Sequence, residues 1–184
     1  MRISTIFALK ELVLYSVAYD DNEMEFKRLF DQWISDFEFL ENFFEENIKD
    51  LQSGYFGNIS IEEAIDRTRE SAIKLRKQFN DIAQNTNVSS RKIQELFRPL
   101  HNNEYKLKSL SKEKSKRDWL RIYAIRISEN TYVVSGGAIK LTETMNENTP
   151  HLRLELQKLE MTKQFLKDYN LTDESDFGFF EFEP

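Results

Sequence analysis

Cations set at strand spacing, with tyrosine beside them, are the residues of this chain best suited to chemistry. Lys106 and Lys108 lie two apart in "EYKLKSL" (residues 104–110). Side chains alternate along a strand, so both fall on one face. Arg121 and Tyr123 share a face of "WLRIYAIRI" (residues 119–127), and Arg126 falls on the other face unless a bulge intervenes. Lys112, Lys114, Lys116 and Arg117 crowd the charged segment "SKEKSKRD" between these two stretches. Cations bind phosphate and aromatic rings stack on unpaired bases, so this pattern suits RNA. The plain alternative is the solvated outer face of a sheet that helices cover on one side only.

A second candidate is "YVVSGGAIKLT" (residues 132–142), where two glycines precede Lys140. A phosphate loop needs GxxxxGK[ST] between a strand and a helix, so that backbone amides wrap the phosphates. Here only two residues separate Gly137 from Lys140, and strand-like sequence follows. The dinucleotide pattern GxGxxG is absent as well. Glycine inside a strand marks a bulge or a close approach of another backbone. The expectation is a glycine bend that aims Lys140 toward Arg121 and Lys108.

Other chemistries find little support. The chain has 184 residues and no cysteine, which excludes disulfides and thiolate metal sites. Its two histidines, His101 and His151, cannot build a zinc site alone. Each reads as a surface or capping residue before it reads as a proton shuttle. There is no Ser/His/Asp arrangement and no paired-carboxylate motif, and no cofactor or metal is implied. The first 17 residues are interrupted by Lys10 and Glu11, unlike a signal peptide. No run of about 18 apolar residues marks a membrane span. A cytoplasmic, bacterial-type protein is the expectation.

The net charge of -6 is unevenly spread. Residues 1–90 hold 10 basic and 17 acidic side chains, residues 91–172 hold 16 and 10, and residues 173–184 hold 5 acidic and no basic ones. A basic module thus lies between two acidic ones. That is ordinary solvated surface, or a polyanion-facing patch masked by its acidic neighbours.

The elements that would position these groups follow from periodicity. "LVLYSVAY" (residues 12–19) reads as a first strand. Phe26, Phe30, Trp33, Phe37, Leu40 and Phe44 alternate spacings of four and three, which predicts one long helix ending before Gly54. "SIEE" (residues 60–63) is a capping box, and Ile61, Ile65, Thr68, Ala72, Leu75, Phe79 and Ile82 continue a second long helix. An αα-hairpin results. Such a regular seam serves intramolecular packing or, less commonly, half of a coiled-coil homodimer. "SRKIQELF" is a short helix ended by Pro99. Then "EYKLKSL", "WLRIYAIRI" and "TYVVSGGAIKLT" make a three-stranded antiparallel meander, with "SKEKSKRD" as a loop. Thr149 and Pro150 open a C-terminal helix whose apolar face is Leu152, Leu156, Leu159, Leu166 and Tyr169. The sum is one α+β domain over residues 1–172, acidic and helical to residue 90 and a basic sheet with a helix beyond it, followed by an acidic, Phe-rich tail over residues 173–184.

Over residues 94–169 this pattern resembles the RelE/HigB-like toxins of bacterial toxin–antitoxin pairs. The matching stretches are "NNEYKLKSL", "LRIYAIRISENTYVVSGGAIKLT" and "LRLELQKLEMTKQFLKDY". The resemblance implies the family's strand, two helices, meander and further helix, here with an enlarged helical part. It implies ribosome-associated, metal-independent cleavage of mRNA, with an antitoxin-like partner. Arg121, Lys108 and Lys140 would stabilise the charge that builds on phosphorus, and Tyr123 would stack or give a proton. Lys106, Lys112, Lys114, Lys116, Arg117 and Arg126 would hold the RNA. The chain departs from the family pattern at Leu141, where a second lysine is usual, and in its acidic net charge. It shows no clear general base near the C-terminus. Whether it is an enzyme therefore stays open. The other reading is a non-catalytic interaction module that grips a protein partner through its aromatic helical hairpin and acidic tail.

Overall fold

The computed structural model describes residues 1–9, 12–20, 22–53, 55–84, 91–100, 110–142 and 149–178. The chain is α+β. Six strands, β1 (Arg2–Leu9), β2 (Leu12–Ala18), β3 (Phe97–Pro99), β4 (Ser111–Arg117), β5 (Leu120–Arg126) and β6 (Thr131–Ile139), form one sheet in the order β1-β2-β6-β5-β4-β3. Neighbours run antiparallel except β2 and β6, which pair in parallel from Val13–Ser16 to Thr131–Val134.

Helices cover both faces. On one side lie α1 (Glu25–Ile34), α2 (Phe37–Glu46), the short α3 (Ile48–Leu51), α4 (Ile61–Gln84) and α5 (Arg91–Leu96). Their core joins Leu29, Trp33, Phe44, Leu75 and Phe79 to Ile122, Ala124, Tyr132 and Val134 of the sheet. On the other side α6 (Pro150–Asp168) sets Leu152, Leu159 and Leu166 against Tyr123, Ile125, Val133 and Ala138. The outer face expected to be open to water is therefore roofed, and every residue of β5 and β6 is buried.

Several expected features are present. The capping box forms reciprocally: the Glu63 amide donates to Ser60 Oγ at 3.1 Å, and the Ser60 amide donates to Glu63 Oε2 at 2.9 Å. Pro150 opens α6, with Thr149 at the cap position. Others need correction. The strand over residues 12–19 is the second, because Arg2–Leu9 pairs with it as β1. The long first helix is broken at Ser35–Asp36, where the Asp36 carboxylate accepts from the Phe39 amide at 2.9 Å and starts α2. "SKEKSKR" is strand β4, not a loop, since its backbone ladder with β5 needs no apolar side chains. The meander is thus β4-β5-β6. The strand expected at residues 104–110, including Lys106 and Lys108, lies outside the described residues except for Leu110.

The glycine pair sits at a β-bulge. Tyr123 pairs with Gly136 and Ala124 with Val134, so Ser135 is the extra residue. Both glycines serve close approach. A Cβ on Gly136 would meet Glu155 and Lys158 of α6, and one on Gly137 would meet the Arg121 carbonyl and Leu29 of α1.

Candidate functional site

Register decides which cations come together. Lys112 pairs with Ile125, Lys114 with Tyr123 and Lys116 with Arg121 across β4–β5. Residues directly opposite share a face. Ile125 and Tyr123 belong to the core under α6, so the three lysines and Arg121 lie on the α6 face. Arg98 of β3 pairs with Lys114 and joins the row. Lys140 follows Ile139, which packs on the other face, so alternation puts Lys140 on the α6 face beside Arg121. Arg126 and Arg117 fall on the opposite face, paired with Tyr132 and Leu120. The separation of Arg126 from Arg121 and Tyr123 agrees with the alternation.

Within this row, Lys112 is neutralised by Glu160 of α6. Among the described residues, Lys114 and Lys116 form no ion pair. Burial, and after it the charges of Arg121 and Lys116, hold the Lys114 ammonium below its ordinary range. Arg121 is 7% exposed, and its Nη1 donates to the Asp118 and Leu120 carbonyls at 2.8 and 2.9 Å. Burial lowers its pKa as well. Tyr123 is 1% exposed, and its buried hydroxyl has no hydrogen-bond partner. Burial drives the phenol well above its usual range. The arrangement is a cationic row at Lys114–Lys116 that forms no ion pair among the described residues, backed by an arginine and a tyrosine that α6 roofs over. It can hold an anion. Arg121 and Tyr123 meet a phosphate only where α6 leaves the row open.

The turn that ends the row is itself braced. Asp118 has φ 56°, and its carboxylate receives Arg67 of α4 in two hydrogen bonds of 2.6 and 2.7 Å. The Arg67 guanidinium lies over the Trp119 ring at 4.5 Å, and Trp119 Nε1 donates to Thr68 Oγ1 at 3.0 Å. This ties the β4–β5 turn to α4 from the far face of the sheet.

A second concentration of polar groups was invisible in the sequence. Glu25 and Glu155 are 3% and 5% exposed, yet belong to α1 and α6 on opposite faces. They meet where β6 outruns β2. Lys158 Nζ donates to Glu25 Oε2 at 3.1 Å and Glu155 Oε1 at 2.9 Å. Arg28 grips Glu25 through Nη2 at 2.6 Å and Nε at 3.0 Å, and its Nη1 donates to Gln32 Oε1 at 2.6 Å. The Tyr19 hydroxyl lies 2.8 Å from the Ser135 carbonyl oxygen, 3.1 Å from that of Lys158 and 2.8 Å from Thr162 Oγ1. The four charges alternate and cancel. Their signal was the i,i+3 spacing of Glu25–Arg28 and Glu155–Lys158 on separate helices, which reads as surface pairing until the helices are placed.

Burial pushes the Glu155 carboxyl above its ordinary value, with Lys158 opposing. An acid raised on folding binds more protons in the native state than in the unfolded one. Its contribution is then fully present below about pH 4.5 and is lost as pH rises through the folded value. Glu155→Gln is expected to flatten the fall in stability just above about pH 4.5. Urea denaturation of both proteins from pH 4 to 7 measures this, and parallel curves would refute it.

His151, in the first turn of α6, packs edge-on against Phe43 at 5.2 Å, and its Nε2 lies 3.1 Å from the Ile139 carbonyl. It is half-buried and positions the helix start. His101 lies outside the described residues. Among the described residues no helix is long and apolar enough to cross a membrane, and no His/Asp/Glu cluster could hold a metal. No protein-family model matches the chain, and searches of curated proteins and of solved structures give no significant match.

Proposed function

We propose that the protein is a RelE/HigB-like, toxin-related RNA-binding protein of the bacterial cytoplasm that contacts RNA or the ribosome along β4. The supporting observation is the Lys114–Lys116 pair, two cations side by side with Arg121 and Arg98 that form no ion pair among the described residues. A protein that holds like charges together lowers that cost when a polyanion arrives. RNA phosphates spaced along a strand fit such a row, and the released counterions supply the affinity. Cleavage is the further step of the same reading. The RNA 2′-hydroxyl would attack the adjacent phosphorus and expel the 5′-oxygen, leaving a 2′,3′-cyclic phosphate. Arg121, Lys140 and Lys108 would offset the charge on phosphorus, and solvent would take the 2′-hydroxyl proton and protonate the leaving 5′-oxygen, because the Tyr123 hydroxyl expected to do so is buried.

Fluorescence anisotropy with a 12-nucleotide single-stranded RNA at 50 mM salt tests the binding. Lys114→Ala with Lys116→Ala is expected to weaken it at least tenfold and to lower the salt slope by about 1.4, at about 0.7 per lost phosphate contact on a single strand. Unchanged affinity, or no binding by the parent protein, would end the proposal. Growth arrest on expression, relieved by Lys140→Ala, together with cyclic-phosphate ends on the cut RNA, supports cleavage.

The second reading is the non-catalytic interaction module. Phe26, Phe30, Trp33, Phe44 and Phe79 of the helical layer pack into its core. Phe37, Tyr55 and Ile73 are exposed there, and residues 179–184 of the tail lie outside the described residues.

A further inference from the structure

β6 continues beyond its parallel partner. Pairing with β2 ends at Ser16–Val134, while β6 runs to Ile139. The Lys140 amide donates to the Trp119 carbonyl, so residue 140 faces β5. The Ile139 carbonyl instead meets the His151 ring, so Ile139, and with it Gly137, turns its peptide groups away from β5. Helices from opposite faces, α1 and α6, flank this uncovered edge. In open sheets with parallel strands, that is where ligands bind: past the carboxyl ends, where neighbouring connections leave to opposite faces.

A cavity of about 170 Å³ occupies the place. Trp33, Phe39 and Phe43 give it flat apolar walls, and Gln32, His151 and Glu155 are among its polar groups. The Gln32 oxygen is taken by Arg28, which leaves its amide hydrogens to donate. Glu155 turns one carboxylate oxygen to Lys158 and packs the other on the Gly136 backbone, so neither is left open to the cavity. The cations and carboxylates here already compensate one another, so an ion gains little by entering. Size narrows the ligand further, because a cavity of about 150 Å³ holds a benzene ring. One six-membered ring fills it.

We infer that this cleft is a binding site for an uncharged, single-ring heterocycle of the pyrimidine-base type. It would accept from the Gln32 amide and read the Gly137–Ile139 backbone edge between the aromatic walls. The site is separate from the cationic row, because its lining uses the opposite flank of α6 from Glu160, which meets Lys112.

Saturation-transfer NMR and calorimetry with uracil and cytosine on the full chain test this. Binding in the range of roughly 0.1–1 mM is expected for a ligand of this size. Phe43→Ala and Gln32→Ala should weaken it at least tenfold. Leu154→Trp, at an exposed position on the mouth, should block it while thermal unfolding stays unchanged. Adenine and guanine should bind at least tenfold more weakly. Equal binding of purines, tighter binding of benzene or indole, insensitivity to Leu154→Trp, or no binding of uracil or cytosine would each overturn the inference.

Discussion

Gly137→Ala is expected to lower the unfolding free energy by about 3 kcal/mol, at the upper end of the cost of overpacking. The added methyl would lie 2.5 Å from the Arg121 carbonyl oxygen and 2.8 Å from a methyl of Leu29. Leu29 is fully packed in the core, and the carbonyl belongs to a strand laddered on both sides. Neither can retreat alone. With a urea m-value of about 2 kcal/mol/M, the midpoint should fall by roughly 1.5 M. Gly136→Ala separates the two causes, because its methyl meets the Glu155 carboxylate rather than backbone. Glu155→Ala should restore most of the loss in Gly136→Ala, whereas Leu29→Ala should not restore Gly137→Ala. Rescue of both, or a midpoint shift under about 0.3 M for Gly137→Ala, would show that the strand gives way after all.

Lys158→Met is the second large effect, a loss of about 3–5 kcal/mol at pH 7, since one partner of a buried ion cluster is removed. Glu25 would keep Arg28, but Glu155 would be left buried with no cation in contact. Part of the cost should vanish as the pH falls and Glu155 takes up a proton. Replacing Lys158 by Met and Glu155 by Leu together should recover most of the stability, because a well-packed apolar pair is often no worse than the charges it replaces. A double-mutant cycle in urea gives the coupling. A single-variant loss below about 1 kcal/mol would mean that water reaches the cluster and screens it.

How much could be read in advance depended on whether a local rule or a distant neighbour set each element. Ser60–Glu63, Thr149–Pro150 and the runs of β5 and β6 carry their own signals. So does the bulge, since two glycines in an apolar strand have few other uses. The break between α1 and α2 hid because Trp33, Phe37, Leu40 and Phe44 keep the spacing across it; Ser35–Asp36 was its one sign. β4 hid because its side chains are nearly all polar and its place comes from pairing with β5. Arg98 was missed because a three-residue strand ending in proline has too little pattern to register. Burial of β5 on both faces was hidden because Arg121 and Arg126 interrupt its apolar run. The Glu25–Lys158–Glu155 contact depends on two helices meeting past the end of β2, and no window of sequence contains it.

The parallel pairing of β2 with β6 also sets a timetable. Val13 and Thr131 are 118 positions apart, yet hold adjoining strands. During synthesis at about 5–20 residues per second, the β1–β2 hairpin leaves the ribosome on the order of ten seconds before its partner strand exists. For that interval an apolar strand edge has no mate, and closing so long a loop comes late and slowly. Folding of this chain should therefore wait on its last third, and a ribosome stalled before residue 131 would present a nascent chain with an unpaired edge, open to association with other chains.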